Sequence, residues 1–358
     1  MDNKLITKII AQEIKDSRGN PTIKVTVFSD SVSGSFSVPS GASTGINEAH
    51  ELRDEDGKGV KKAIDIVNNI IAQTLIGKDI LNQKEIDHLM LELDGTANKD
   101  KLGGNAMIGV SIACVKTAAK VAGVEVYEHL RTLAEIKSSR KTPYLYMNLV
   151  NGGKHAKNNL AFQEYLVVPN TENIKEAVEI GLKIQNSLKE IIQNEFGDDS
   201  LVLGDEGGYA PPISDIKKPL IYLSEAIKEN NLEDKTRLAL DVASSSFYKN
   251  ENYEIGDKYV SKEELMDIYD SLIREFNVFS VEDPFDEEDF ESFRQLKENN
   301  QKLIVVGDDL TVTNKVLLQE AIGKNSINAM IIKPNQIGTL TETLETMSLA
   351  RENGIELI

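Results

Sequence analysis

Residues 303–312 read LIVVGDDLTV. Leu303 to Val306 leave no polar alternate for a solvent face, so the run is predicted to be a strand buried on both sides. It ends in two adjacent acids, Asp308 and Asp309, whose charges repel each other. Comparable apolar runs recur along the second half of the chain: TRLALDVA (236–243), VFSVEDPF (278–285) and NAMIIKPNQ (328–336), with amphipathic helical spacing between them. Buried strands alternating with helices argue for a parallel sheet covered on both faces. Four successive units without a glycine-rich dinucleotide fingerprint favour a barrel over an open nucleotide-binding sheet.

In a parallel barrel the C-terminal strand ends open on one mouth. The polar residues predicted to stand there are Asp241, Glu282, Asp308 and Lys333. Any one such acid is ordinarily a turn or helix-cap residue, and DPF and TVTN read as helix entries. Three acids and a lysine at successive strand ends form a pattern that capping alone does not explain. Three converging carboxylates repel unless a cation sits among them. An all-oxygen ligand set without cysteine or histidine suits Mg2+. Asp308 is therefore read as a metal ligand, and Asp309 as supporting the site through hydrogen bonds.

Working outward, YLYMNLV (144–150) and FQEYLVVP (162–169) are two strands joined by NGGKHAKNNLA. A helix follows with Ile174, Ala177, Gly181, Ile184, Leu188 and Ile191 on one stripe. The loop LVLGDEGGYAPP (201–212) comes next, then a second helix over about 217–230. Residues 5–38 alternate as strands, 58–77 have helical spacing, and 105–123 read as a small-residue buried helix. This opening is an α+β module, with the polar stretch EIKSSRKTP (135–143) as its boundary. Two domains are expected, a cap over 1–135 and a barrel over 140–358.

The chain is 40% hydrophobic and 27% charged, with 40 basic and 58 acidic residues and a net charge of −18. That balance opposes non-specific nucleic-acid binding and means that an anionic substrate needs local cations. No run approaches the roughly 20 apolar residues of a bilayer span. MDNKLITKIIAQEIKD lacks the pattern of a signal peptide. A cytoplasmic protein with neither nucleic-acid nor membrane partners is expected. The single cysteine, Cys114, is read as a buried core thiol.

Beyond these readings, the chain carries DSRGNPT (16–22), PSGASTG (39–45), LIGKD (75–79), NGGKHAKNNLAFQE (151–164), GDEGGYAP (204–211), LALDVASSSFY (238–248), VEDPF (281–285), GDDLTVTN (307–314) and KPNQIGTLTET (333–343). In these segments and their order it resembles the enolase (phosphopyruvate hydratase) family. The resemblance implies an N-terminal α+β cap followed by a ββαα(βα)6 TIM-like barrel, and Mg2+-dependent dehydration of 2-phosphoglycerate to phosphoenolpyruvate in glycolysis. A lysine or histidine base working with Mg2+ is the known pattern of the enolase superfamily, and the roles here are borrowed from it. Asp241, Glu282 and Asp308 would hold the first Mg2+, and Ser43 would ligate a second. Lys333 would be the base, in a water-poor position, and Glu206 the acid. Glu164 would assist Glu206, and His155 and Gln163 would line a small phosphorylated substrate. A homo-oligomer, dimeric or higher, is implied for the complete protein.

The chain departs from the family in places. Lys24 in TIKV stands where the family usually has an acid and commonly makes a dimer salt bridge. Lys157 and Ala161 are further departures. The chain stops at GIELI, as another strand begins, where the family continues with a Ser-His-Arg-Ser segment and a later lysine that grip the substrate. The barrel is expected to lack its last strands, and the 358-residue chain to be inactive or nearly so. Two other readings stay open: a non-catalytic enolase-derived binding protein, and a lyase of the same superfamily acting on a non-phosphorylated acid.

Overall fold

The alternation of the first forty residues folds as an antiparallel meander: β1 (Lys8–Lys15), β2 (Pro21–Ser29) and β3 (Val32–Ser37), in that order. Ile23, Val25 and Val27 point to one face and are fully buried, as period-two alternation requires. The computed structural model describes residues 4–41, 45–136, 142–204 and 206–358. They fall into two units, Met1–Ser138 with Thr311–Gln319 and Ile331–Ile358, and Ser139–Leu310 with Glu320–Met330.

In the first unit the helix Gly104–Ala122 lies against β2 and β3. Its small residues permit the approach: a Cβ on Gly109 would stand 2.7 Å from Val25 Cγ2, and one on Gly34 would stand 2.6 Å from the Thr117 nitrogen. Among the described residues this is the one helix long and apolar enough to cross a bilayer, and it is core here, largely buried. Cys114 on it is fully buried. Burial, with Asp87 nearby, pushes the thiol well above its ordinary range.

The same unit takes in the helix Leu340–Glu352 from the far end of the chain. Its first turn is held by side chains of the N-terminal region. Thr341 donates to Asp87 Oδ2 through its N–H (2.9 Å) and its hydroxyl (2.6 Å). The Leu340 N–H donates to Ser111 Oγ at 3.0 Å, and Lys99 pairs with Glu342 at 2.7 Å. Gln83 donates to the other Asp87 oxygen at 3.0 Å. An anionic acceptor facing free helix N–H groups is favourable. Asp87 is nonetheless fully buried, and desolvation raises its pKa above the ordinary 3.8.

The second unit opens with β4 (Met147–Asn151) and β5 (Glu164–Pro169), then two helices, Ile174–Phe196 and Lys218–Glu229, before β6 (Thr236–Asp241). A small antiparallel meander follows: β7 (Tyr248–Lys249), β8 (Asn252–Ile255) and β9 (Lys258–Val260). Then come β10 (Val278–Glu282), β11 (Ile304–Gly307) and β12 (Ala329–Met330), with helices Lys262–Phe276, Phe290–Asn299 and Lys315–Gly323 between them. The strands are ordered β4-β5-β6-β10-β11-β12. The first three are antiparallel neighbours, and β6, β10, β11 and β12 run parallel. This is the strand-strand-helix-helix opening and the strand-helix repeat read from the sequence.

Two elements differ from expectation. The β7–β9 meander was not foreseen, because its residues, YKNENYEIGDKYV, are too polar to read as strands. Lys333 does not end a strand: β12 stops at Met330. Pro334 begins a four-residue helical turn that Lys333 precedes in extended conformation (φ −124°, ψ 97°), as the residue before a proline must be.

Candidate active site

Register places the acids. Asn151 pairs with Glu164, Glu164 with Asp241, Asp241 with Glu282, and Glu282 with Val306, along one rung from β4 to β11. Glu164, Asp241 and Glu282 therefore stand on adjacent strands at one end of the sheet, and Asp308 follows two residues after Val306. Asp241 is 7% exposed and Asp308 9%. Gln163 Nε2 donates to Asp241 Oδ2 (3.0 Å), and the Ala243 N–H caps Asp241 Oδ1 (3.1 Å). The other Gln163 amide atom, Oε1, is buried with no hydrogen-bond partner among the described residues.

The most compact carboxylate group includes a residue the sequence reading did not single out. Ligand oxygens of Asp283, Asp308 and Asp309 lie within 4.8 Å of one another. Asp283 is buried, and its two oxygens accept the backbone N–H groups of Asp308 (3.0 Å) and Asp309 (2.7 Å). Its own carbonyl accepts from Ser244, and its N–H donates to Val306. One residue thus ties together the ends of β6, β10 and β11. Asp309 was expected to brace the site. Asp283 is a second bracing carboxylate, and Asp309 donates its backbone N–H to it. Burial, then the charges of Asp309 and Asp308, push Asp283 well above the ordinary carboxylate range. Asp241 and Glu282 share the rung but are not members of this compact group.

Backbone strain gathers at the same place. Ala243, Asp283, Val312 and Thr313 have φ of 46°, 41°, 39° and 55°. Each follows Asp241, Glu282 or Asp308 by no more than five residues. Non-glycine residues are uncommon in this region, and such outliers concentrate at functional sites.

A second group sits at the β4–β5 connection. His155 Nδ1 lies 3.2 Å from Glu164 Oε1 and 3.7 Å from Glu206 Oε2. His155 is buried and Glu206 about half exposed, with Asn148 Nδ2 3.3 Å from Glu206 Oε2. Glycines make this fit: a Cβ on Gly204 would lie 2.6 Å from Asn151 Cβ, and one on Gly208 2.5 Å from Asn151 Oδ1. The structure therefore brings His155, Gln163, Glu164, Glu206 and Asp241 together in the second unit, with Glu282 and Asp308 at the neighbouring strand ends. Lys333 belongs to the first unit. It is exposed, against the expectation of a water-poor position, because it lies beyond the strand on a turn. Ser43 lies outside the described residues.

Sequence comparison meets this geometry. Residues 6–130 match the family described as "Enolase, N-terminal domain", and residues 139–358 match "Enolase, C-terminal TIM barrel domain". The chain belongs to the enolase family. It is 43% identical over 365 residues to an enolase of Methanocaldococcus jannaschii, covering 100% of this chain and 85% of that one. It is 44% identical to an enolase of Methanococcus aeolicus, with the same coverage. To that of Methanosarcina barkeri it is 45% identical, covering 99% of this chain and 83% of the relative. Enolases are hydro-lyases that use Mg2+ and act on a phosphorylated small molecule. The residues of the site fit the ion. Its donors are hard carboxylate oxygens, and burial followed by the neighbouring acids raises Asp283 above the ordinary carboxylate range; divalent hard cations take such ligands.

Proposed function

We propose that this site is built for the enolase reaction, the reversible loss of water from 2-phosphoglycerate to give phosphoenolpyruvate. The observation that carries the reading is the single rung bearing Glu164, Asp241 and Glu282, with Asp308 beyond it, His155 against Glu164 and Glu206 against His155. Residues 1–135 are read as the cap and 140–358 as the barrel domain. The protein is read as cytoplasmic, and as a homo-oligomer in its complete form.

The chemical difficulty is removing a weakly acidic proton from the carbon beside a carboxylate. Lys333 takes that proton. Glu206 protonates the departing hydroxyl, and its half-exposed position gives it access to a substrate while His155 and Asn148 lie against its Oε2. Gln163 orients Asp241 and offers its buried Oε1 to the site. Asp241, Glu282 and Asp308 would hold the first Mg2+ and Ser43 would contribute to a second. Bound there, the ions would supply positive charge beside the substrate's carboxylate, where negative charge grows as the proton leaves, and would offset the standing charge of its phosphate.

The experiment separates acid from base. Variants are made in the 358-residue chain and in a version extended with the C-terminal segment of the Methanosarcina barkeri relative. Lys333→Ala should stop exchange of the substrate's α-proton with deuterated water. Glu206→Gln should block formation of phosphoenolpyruvate, followed by ultraviolet absorbance, while exchange continues. Equal loss of exchange in both variants would contradict the division of roles. Absence of turnover from both parent chains with Mg2+ would refute the proposed reaction.

A further inference from the structure

Resting on the reading of Lys333 as base, we infer that Thr313 is a positioning residue for it. Beyond Met330 the strand has ended, and the N–H of Lys333 donates to the Thr313 hydroxyl at 2.9 Å. The same hydroxyl donates to Gln336 Oε1 at 3.0 Å. Both hydrogen-bonding directions of one oxygen are thereby used, which fixes its orientation. The Gln336 N–H donates back to the Lys333 carbonyl, so the loop is clamped on both sides of Pro334.

Thr313 is itself held in place. It is fully buried, as is Thr346, whose hydroxyl donates to the Thr313 carbonyl at 2.9 Å. Val312 and Thr313 both have positive φ. This region is strained for β-branched residues and persists only when surroundings enforce it. In this conformation its hydroxyl meets the Lys333 N–H just past the end of β12. Thr313 also follows Asp308 by five residues, so the segment that leaves a metal-site acid is the segment that holds the base. The amine acts at the end of a flexible four-carbon stem, and small shifts of its anchor become large misplacements at the reacting proton.

Thr313→Val keeps the shape and removes the hydroxyl, whereas Thr313→Ser keeps the hydroxyl. In Thr313→Val we expect kcat and α-proton exchange to fall together, by about tenfold to a hundredfold, with KM changing little. Thr313→Ser should recover most of the loss. Deuterium exchange at the Lys333 amide, resolved by site, should accelerate by up to about tenfold in the valine variant and not in the serine variant, at similar melting temperatures. Should the valine variant fail to fold, Thr313→Cys, with a weak acceptor of similar size, is read the same way. Unchanged protection of the Lys333 amide, or a kinetic loss as deep in serine as in valine, overturns the proposal. Persistence of α-proton exchange in Lys333→Ala overturns the base assignment instead. Amide exchange also decides the role of Thr313 in a chain that does not turn over.

Discussion

Asp308 and Asp283 show how differently two acids in one cluster can act. Asp308→Asn should lower Mg2+ affinity in a calorimetric titration and abolish turnover. Unaltered binding would remove Asp308 from the ligand set. Asp283→Ala leaves the buried N–H of Asp308 and the half-buried N–H of Asp309 without their acceptor. Each such loss costs about 1–3 kcal/mol, offset in part because the buried carboxyl itself is disfavoured. Urea unfolding should show the alanine variant destabilised and Asp283→Asn, which keeps one acceptor oxygen, less so. Asp241, Glu282 and Asp308 were legible in the sequence because each closes or follows an apolar run. Asp283 was not, because its partners are backbone groups 25 residues on, and nothing in VEDPF announces them. Its positive φ is likewise visible only in the folded chain.

At the scale of elements, the loop carrying Glu206 is seated by an absence of side chains. Gly204 and Gly208 leave room for Asn151 at the end of β4, and Asn148 on the same strand reaches Glu206. Gly204→Ala puts a methyl against the buried Asn151, which overpacks the contact by about 1–3 kcal/mol. The melting temperature should drop, and kcat should fall further than that of a surface glycine variant such as Gly256→Ala. A neutral outcome for both would mean that the loop adapts without moving Glu206. The strands of the second unit could be read because four to six apolar residues in a row have few other folds available. The β7–β9 meander escaped because its pairing is local and its faces mostly exposed. Lys333 was placed on a strand because MIIK continues the apolar pattern, while Pro334 breaks the ladder and two intervening residues carry the chain away from it.

For the molecule as a whole, acid stability offers a test of the buried Asp87. Its folded pKa is raised, so its contribution to stability is fully present below about 3.8 and is lost as pH rises through the folded value. Asp94, Glu176 and Glu195 have lowered values, and their contributions run the other way, lost as pH falls. Wild type alone mixes the two signs, so the comparison must be with Asp87→Asn. Plotted against pH, the stability difference between wild type and this variant should move against wild type from about pH 4 upward. A difference independent of pH would mean that Asp87 titrates normally. Nothing in the sequence pointed to this acid, since Ser111 and Thr341 reach it from two other helices.

The bonds from Asp87, Ser111 and Lys99 to the helix Leu340–Glu352 join residues 254, 229 and 243 positions apart. During synthesis the N-terminal domain emerges first, yet its polar interior waits for the helix Leu340–Glu352 to leave the ribosome. Until then Asp87 and Gln83 face a gap that solvent fills, and closing so long a loop is slow. A part made early is thus completed only by one made much later. A chain stopped after Met330 should keep the β1–β3 meander and the helix Gly104–Ala122 protected from amide exchange while the helix Gln83–Asp94 exchanges faster. Equal protection of both would mean the N-terminal region matures alone.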